Sequence, residues 1–279
     1  VNKTELKAFL GRGAIFVLLL ALTAAPMAAQ EHTADKSWKK ETLQEFVTIE
    51  PGGTVRVDNP FGRIYSRFGG YENKVEILAT IQRLDHGLPE LKIDYSRSGP
   101  GLDITVRAGD EGQEQKASVD RGDRIDLVVF VPEGAPLDAR TEEDLIDVKG
   151  LKGDVAARSK KGDIRIRAVK GRVTARTDRG QLSAALETAV TEKAQEFSSV
   201  TGDIEIYLWE DADMNVEIKT TGEISTDFSI TIEHHPFEEP GKHATAVVGK
   251  GGPRLSLYSK RGRAKLLRLQ KDFTPNGEE

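Results

Sequence analysis

Between Leu151 and Gly180 the chain carries Lys152, Arg158, Lys160, Lys161, Arg165, Arg167, Lys170, Arg172, Arg176 and Arg179 against only Asp154, Asp163 and Asp178. Ten basic against three acidic side chains is a local excess of +7, in a chain whose formal net charge is −5. Guanidinium and ammonium groups at this density are equipped to hold an anionic polymer. If the segment is built of strands stacked about 4.8 Å apart, equivalent positions form rows, and like charges in a row repel unless an anion or an acidic side chain lies between them. Lys160, Lys161, Arg165, Arg167, Arg172 and Arg176 are therefore the expected contact residues for an envelope polysaccharide, lipid headgroups or a surface protein. The competing reading is a solvated surface on which Lys and Arg keep strand edges from pairing with other chains. The block has no aromatic residues on which bases could stack, which argues against nucleic acid.

Other chemistry is weaker. A glycine returns every nine residues at Gly153, Gly162, Gly171 and Gly180, and Asp154, Asp163 and Asp203 each directly follow a glycine. Calcium-binding nonapeptides instead pair their glycines and place the Asp two residues after the last one. Calcium also needs converging oxygens, whereas here the unit is crowded with cations, so the aspartates are read as turn formers. His234 and His235 lie near Glu233, Glu238, Glu239 and His243. Adjacent strand residues face opposite ways and no zinc spacing is present, so a polar loop is expected and no metal. No cysteine, G-x-S-x-G motif or phosphate loop occurs, and carboxylate pairs such as Glu142-Glu143 are sequence neighbours at turns. No catalytic residue and no cofactor are expected.

The elements that would position these side chains read as β. After each repeat glycine an apolar residue follows at +2 and often at +4: Val155 and Ala157, Ile164 and Ile166, Val173 and Ala175, Leu182 and Ala184. The beat recurs at Gly202, Gly222 and Gly262, at Gly62 near the start, and at Asp144, which stands where a glycine is expected. Residues at +2 and +4 share one face and enter a core. Glycine, or Asp at 144, is expected to supply a left-handed corner. Elsewhere Val55/Val57, Leu102/Ile104/Val106, Ile125/Leu127/Val129/Val131, Val216/Ile218 and Leu255/Leu257 alternate with polar partners. Leu182–Phe197 reads as a strand and a loop insertion, with a short helix as the alternative. The fold class is all-β: a single-domain β-solenoid of short stacked strands, with a β-sandwich as the alternative. With aromatics at only 6%, Val, Ile, Leu and Ala must build the core.

Lys3, Lys7 and Arg12 precede an apolar run from Ala14 to Ala25, then Pro26 and small residues up to Ala29. This layout predicts a secretory signal peptide over 1–29, with an uncleaved anchor as the alternative. Its loss removes three positive charges and one negative, taking the net charge from −5 to −7. An acidic, exported chain without cysteine has no disulfide staples and must rely on its core. Residues 30–45 are polar and read as a linker, 46–270 as the β-repeat domain, and 271–279 as a disordered tail. The expected location is the periplasm, the cell surface or the medium.

Several segments follow one another in a distinctive order: NPFGRIY, then RIDLVVFVPEGAPLDARTEEDLIDVKGLKGDVAARSKKGDIRI, GRVTARTDRGQL, FSSVTGDIEIYL, VEIKTTGEISTDF and RLSLYSKRGRAKLL. Over about residues 46–269 the chain resembles the bacterial putative-adhesin family of β-strand repeat proteins, a domain of unknown function. The resemblance implies export, a β-helix-like repeat, a cell-envelope role and no catalytic residues. Asp144 and the basic middle depart from the family pattern. A non-catalytic envelope interaction protein is thus expected, and a polysaccharide-cleaving β-helix enzyme is the alternative.

Overall fold

The computed structural model describes residues 38–70, 72–84, 91–109, 123–186, 193–209 and 211–269. The signal peptide expected at 1–29 and the tail expected at 271–279 lie outside the described residues. In chain order the strands are β1 (Trp38–Thr48), β2 (Val55–Asp58), β3 (Ile64–Gly70), β4 (Lys74–Leu84), β5 (Leu91–Ser98), β6 (Gly101–Ala108) and β7 (Arg124–Pro132). The middle of the chain follows with β8 (Leu137–Thr141), β9 (Ile146–Lys149), β10 (Val155–Ser159), β11 (Ile164–Val169), β12 (Val173–Thr177), β13 (Leu182–Leu186), β14 (Gln195–Ser199) and β15 (Ile204–Trp209). The last are β16 (Met214–Thr220), β17 (Ile224–Thr226), β18 (Thr231–His234), β19 (Lys242–Val248), β20 (Arg254–Ser259) and β21 (Ala264–Leu269). No helix occurs among the described residues, and the stretch from Leu182 to Phe197 supplies β13 and part of β14.

From β8 to β15 successive strands alternate between two sheets, so each coil of chain gives one strand to each. Neighbours in a sheet are parallel and, over the first coils, 18 residues apart: Ile146 partners Ile164, and Ile164 partners Leu182. Period-two alternation sends one side of every strand inward. Ile64, Ile146, Ile164, Leu182 and Ile204 form one inward column, and Leu137, Val155 and Val173 another, all at most 2% exposed. Both sheets contribute to one continuous core. In cross-section the core is that of a two-sheet sandwich, and the path that builds it is a coil.

The ends depart from this order. The coil β20–β21 lies between the coils β14–β15 and β16–β17: β20 pairs with both β14 and β16, and β21 with both β15 and β17. At the opposite end β2 and β3 sit between β8–β9 and β6–β7. Antiparallel strands then close the stack, β1–β4–β7 and β5–β6 at one end and β16–β19–β18 at the other. The segment expected to be a linker, 30–45, is corrected here: from Trp38 it is β1, paired with β4 over all 11 residues. It shows no alternation because it is an edge strand with nearly every described side chain in water.

The repeat glycines serve a different purpose from the expected left-handed corner. Among Gly153, Gly162, Gly171, Gly180, Gly202, Gly222 and Gly262 only Gly180 has positive φ (146°). Each instead lies against a neighbouring coil: a Cβ on Gly162 would stand 1.8 Å from the Asp144 carbonyl oxygen, and one on Gly202 1.6 Å from that of Gly180. Asp144 likewise keeps an ordinary φ, so the left-handed rationale for it fails too. Three residues before Gly162, Gly180, Gly202 and Gly262 stands a buried hydroxyl. Ser159, Ser199 and Ser259 accept the N–H of Gly162, Gly202 and Gly262 at 2.7, 2.8 and 2.9 Å. Thr177 and Ser259 donate to the Gly162 and Gly202 carbonyls of adjacent coils at 3.1 and 2.9 Å. These hydroxyls satisfy buried backbone groups that the tight turns would otherwise strand.

The aspartates after the glycines tie coil to coil. Asp154 Oδ1 accepts the Arg172 N–H at 2.9 Å, Asp163 the Gln181 N–H at 2.8 Å, and Asp203 the Arg263 N–H at 2.7 Å. Their carboxylates are thereby committed to backbone amides.

Candidate functional site: an arginine row on the outer sheet face

The strands LDART, VAARS and VTART (β8, β10, β12) share one burial pattern, in which the arginine is the exposed fourth residue. Their register places Arg140 beside Arg158, and Arg158 beside Arg176. Strands of one sheet are about 4.8 Å apart, so three cationic side chains leave the outer face in a row at that spacing. Underneath, Ala139, Ala157 and Ala175 point into the core.

The row is unevenly neutralised. Arg140 pairs with Asp138 on its own strand at 2.8 Å, and Arg176 comes only to 3.9 Å from Asp178. Arg158, exposed between them, has no acidic partner among the described residues. Asp58 precedes Arg140 in the row; burial pushes its carboxyl above the usual range and Arg140 pulls it back. Beyond Arg176 the row continues as Ser198, Tyr258 and Lys219. There a shallow groove of about 390 Å³ opens, lined by Arg176, Glu196, Ser198, Lys219, Arg254 and Tyr258 among others. Guanidinium groups followed by hydroxyls and one aromatic face suit an extended anionic ligand lying across the strands.

Of the residues expected from the sequence, Arg176 alone belongs to this row. Arg165 and Arg167 lie on the outer face of the other sheet, on β11. Lys160 and Lys161 occupy the turn from β10 to β11, and Arg172 the turn from β11 to β12. The six do not form one ladder. Lys160 lies 2.6 Å from Glu142, Lys161 is paired with Glu143, and Arg167 is 3.0 Å from Asp147. The Glu142 hydrogen bond raises the Lys160 pKa. Acidic neighbours one coil away thus relieve the repulsion expected in the turn rows; in the arginine row only Arg140 has one, Asp58, and Arg158 has arginines on both sides. Sequence reasoning missed Arg140 and placed no weight on Arg158. The available signal was Ala-Arg-Ser/Thr recurring every 18 residues at 139, 157 and 175, which a nine-residue glycine beat conceals.

Neither a known family model nor a curated protein matches this chain. It is similar to solved structures at low identity. One is described as a putative cell adhesion protein of Clostridium sporogenes (12% identity, TM-score 0.44, 82% of this chain and 100% of that one). Another is a putative adhesin of Bacteroides fragilis (12%, TM-score 0.36, 83% and 98%). A third is a putative lipid binding protein of Parabacteroides distasonis (11%, TM-score 0.25, 82% and 97%).

Proposed function

We propose that this chain is an exported, non-catalytic protein of the cell envelope or surface that holds an acidic envelope polysaccharide along Arg140, Arg158 and Arg176. The observation that carries the reading is Arg158: an exposed guanidinium, without an acidic partner among the described residues, between two arginines in register. A row of like charges costs stability, and an acid at one of its positions would remove that cost. An extended polyanion laid along the stack supplies the missing charge, and the hydroxyls of Ser198, Ser256 and Tyr258 offer donors to sugar oxygens farther along. Lys160 and Lys161 border the row at the turn that follows Ser159.

The cleaving-enzyme alternative needs a carboxylic acid able to donate a proton. In the groove, the Lys219 hydrogen bond holds Glu217 below the usual carboxylate range against the opposing effect of burial, with Arg254 assisting. An acid so held stays ionised and is a poor proton donor.

The test is binding of the chain from residue 30 onward to an acidic polysaccharide, to a neutral one and to anionic vesicles, at several salt concentrations. Reversing Arg140, Arg158 and Arg176 to Glu is expected to weaken acidic-polysaccharide binding at least about tenfold, while Arg165→Glu leaves it unchanged. Equal binding by the triple variant rejects the row as the contact face. Binding to anionic vesicles alone replaces the polysaccharide with a lipid headgroup.

A further inference from the structure

The sequence argued against a metal because His234 and His235 face opposite ways, yet the fold brings together His235, Glu238 and His243. One donor atom from each lies within 4.8 Å of the other two. His235 follows β18, and the loop returns through a turn in which Glu238 N–H donates to the His235 carbonyl at 3.0 Å. His235 N–H donates to the Gly241 carbonyl at 2.7 Å, and His243 stands on β19 opposite Glu233. The two imidazole rings are 4.3 Å apart between centroids. The Glu238 carboxylate lies against both, Oε1 3.5 Å from His235 Nδ1 and Oε2 3.4 Å from His243 Nε2, and His243 Nε2 also lies 3.2 Å from the Pro240 carbonyl oxygen, a contact that metal binding would replace.

We infer that His235, Glu238 and His243 form a binding site for a divalent transition metal, with zinc the best fit. Ligands about 2.0–2.1 Å from a tetrahedral zinc ion are separated from one another by roughly 3.4 Å, and each Glu238 oxygen stands at about that distance from one of the two imidazole nitrogens. Two imidazoles and one carboxylate are a zinc donor set, whereas calcium and magnesium favour oxygen ligands alone. A second observation points the same way. His235 Nε2 is buried and makes no hydrogen bond, although a Glu233 carboxylate oxygen is 3.4 Å away. A metal on Nδ1 would fix the proton on Nε2 and turn that approach into the carboxylate–histidine–metal arrangement usual at such sites. Three protein donors leave a fourth position for water or for a donor from another molecule. The fully exposed Phe237 stands inside the same loop. Bound zinc clasps the loop that joins the edge strand β18 to β19.

The test uses the untagged chain from residue 30 onward, dialysed against chelator and titrated with zinc in competition with a chromophoric chelator. One equivalent of zinc is expected to bind. Its affinity is expected to fall at least about tenfold in His235→Ala, in His243→Ala and in Glu238→Gln, and to be unchanged in His234→Ala. Circular dichroism of each variant separates lost ligands from lost folding, and Glu238→Gln, at an exposed loop position, is the least disruptive. No zinc uptake, or an affinity in Glu238→Gln and His243→Ala equal to that of the unaltered chain, overturns the site and leaves these contacts as histidine–carboxylate pairing.

Discussion

Arg167 Nη2 lies 3.0 Å from Asp147 Oδ2 on the neighbouring strand, in a pair that is almost wholly buried, with side chains 11% and 5% exposed. The other Asp147 oxygen is 2.7 Å from Arg67 Nη1. The carboxylate is thus clamped between β3 and β11. Arg167→Ala is expected to leave Asp147 half-paired and to destabilise by about 2–3 kcal/mol, whereas Arg165→Ala on the same face changes stability by less than about 0.5 kcal/mol. Urea midpoints of the two variants check this. Equal midpoints would mean that the clamp contributes nothing.

Arg158→Glu is expected to do the reverse. An acid between Arg140 and Arg176 replaces two repulsions with two attractions, so stability rises by about 0.2–1 kcal/mol while anion binding falls. A variant that loses both stability and binding would show that Arg158 packs as well as carries charge.

Gly162→Ala separates close approach from backbone freedom. Its Cβ would meet the Asp144 carbonyl at 1.8 Å, and backbone cannot yield cheaply, so a loss of about 3 kcal/mol is expected. Gly134 is the control: φ is +75° with nothing within 4 Å, so Gly134→Asn should cost no more than about 1 kcal/mol. Thermal melts that rank the two the other way would remove the close-packing account of the repeat.

Asp154 and Asp203 tie the stability to pH. Burial alone would raise both carboxyls, but Lys193 and the Arg172 N–H outweigh it at Asp154, as Arg263 does at Asp203, and both end below the usual range. A carboxyl lowered in the folded chain is protonated more readily in the unfolded one. Its contribution is complete above the ordinary carboxylate range and is lost as pH falls toward the depressed folded value. Asp203→Asn is expected to flatten the acid limb of the stability–pH curve. An unchanged limb would assign the acid loss to other groups.

Much of the scaffold was legible in the sequence. Val155, Ile164, Ile166, Val173 and Leu182 are core as their alternation requires, because period two fixes the side of a strand without any knowledge of its partners. What was hidden depends on which coil lies next. The requirement for glycine at 162 comes from the carbonyl of residue 144, and the job of Asp154 from the amide of residue 172. Both partners are 18 residues away, two glycine beats. The pairing of Lys160 with Glu142 has the same separation, which is why a charge count overstated the basic face. His235 and His243 meet through a loop whose path no local pattern encodes.

The position of β20–β21 bears on how the chain is made. A ribosome delivers β16 to β19 first, and β16 must then wait for its parallel neighbour, because β20 occupies the rung between β14 and β16. Growth by addition of each new coil to the last, the simple route for a repeat protein, therefore stops at β15. The far cap can join the body only after residues 254–269 have emerged and filled the gap. A chain halted before Arg254 would present two unjoined parallel edges, those of β14 and β15, to whatever else is unfolded nearby.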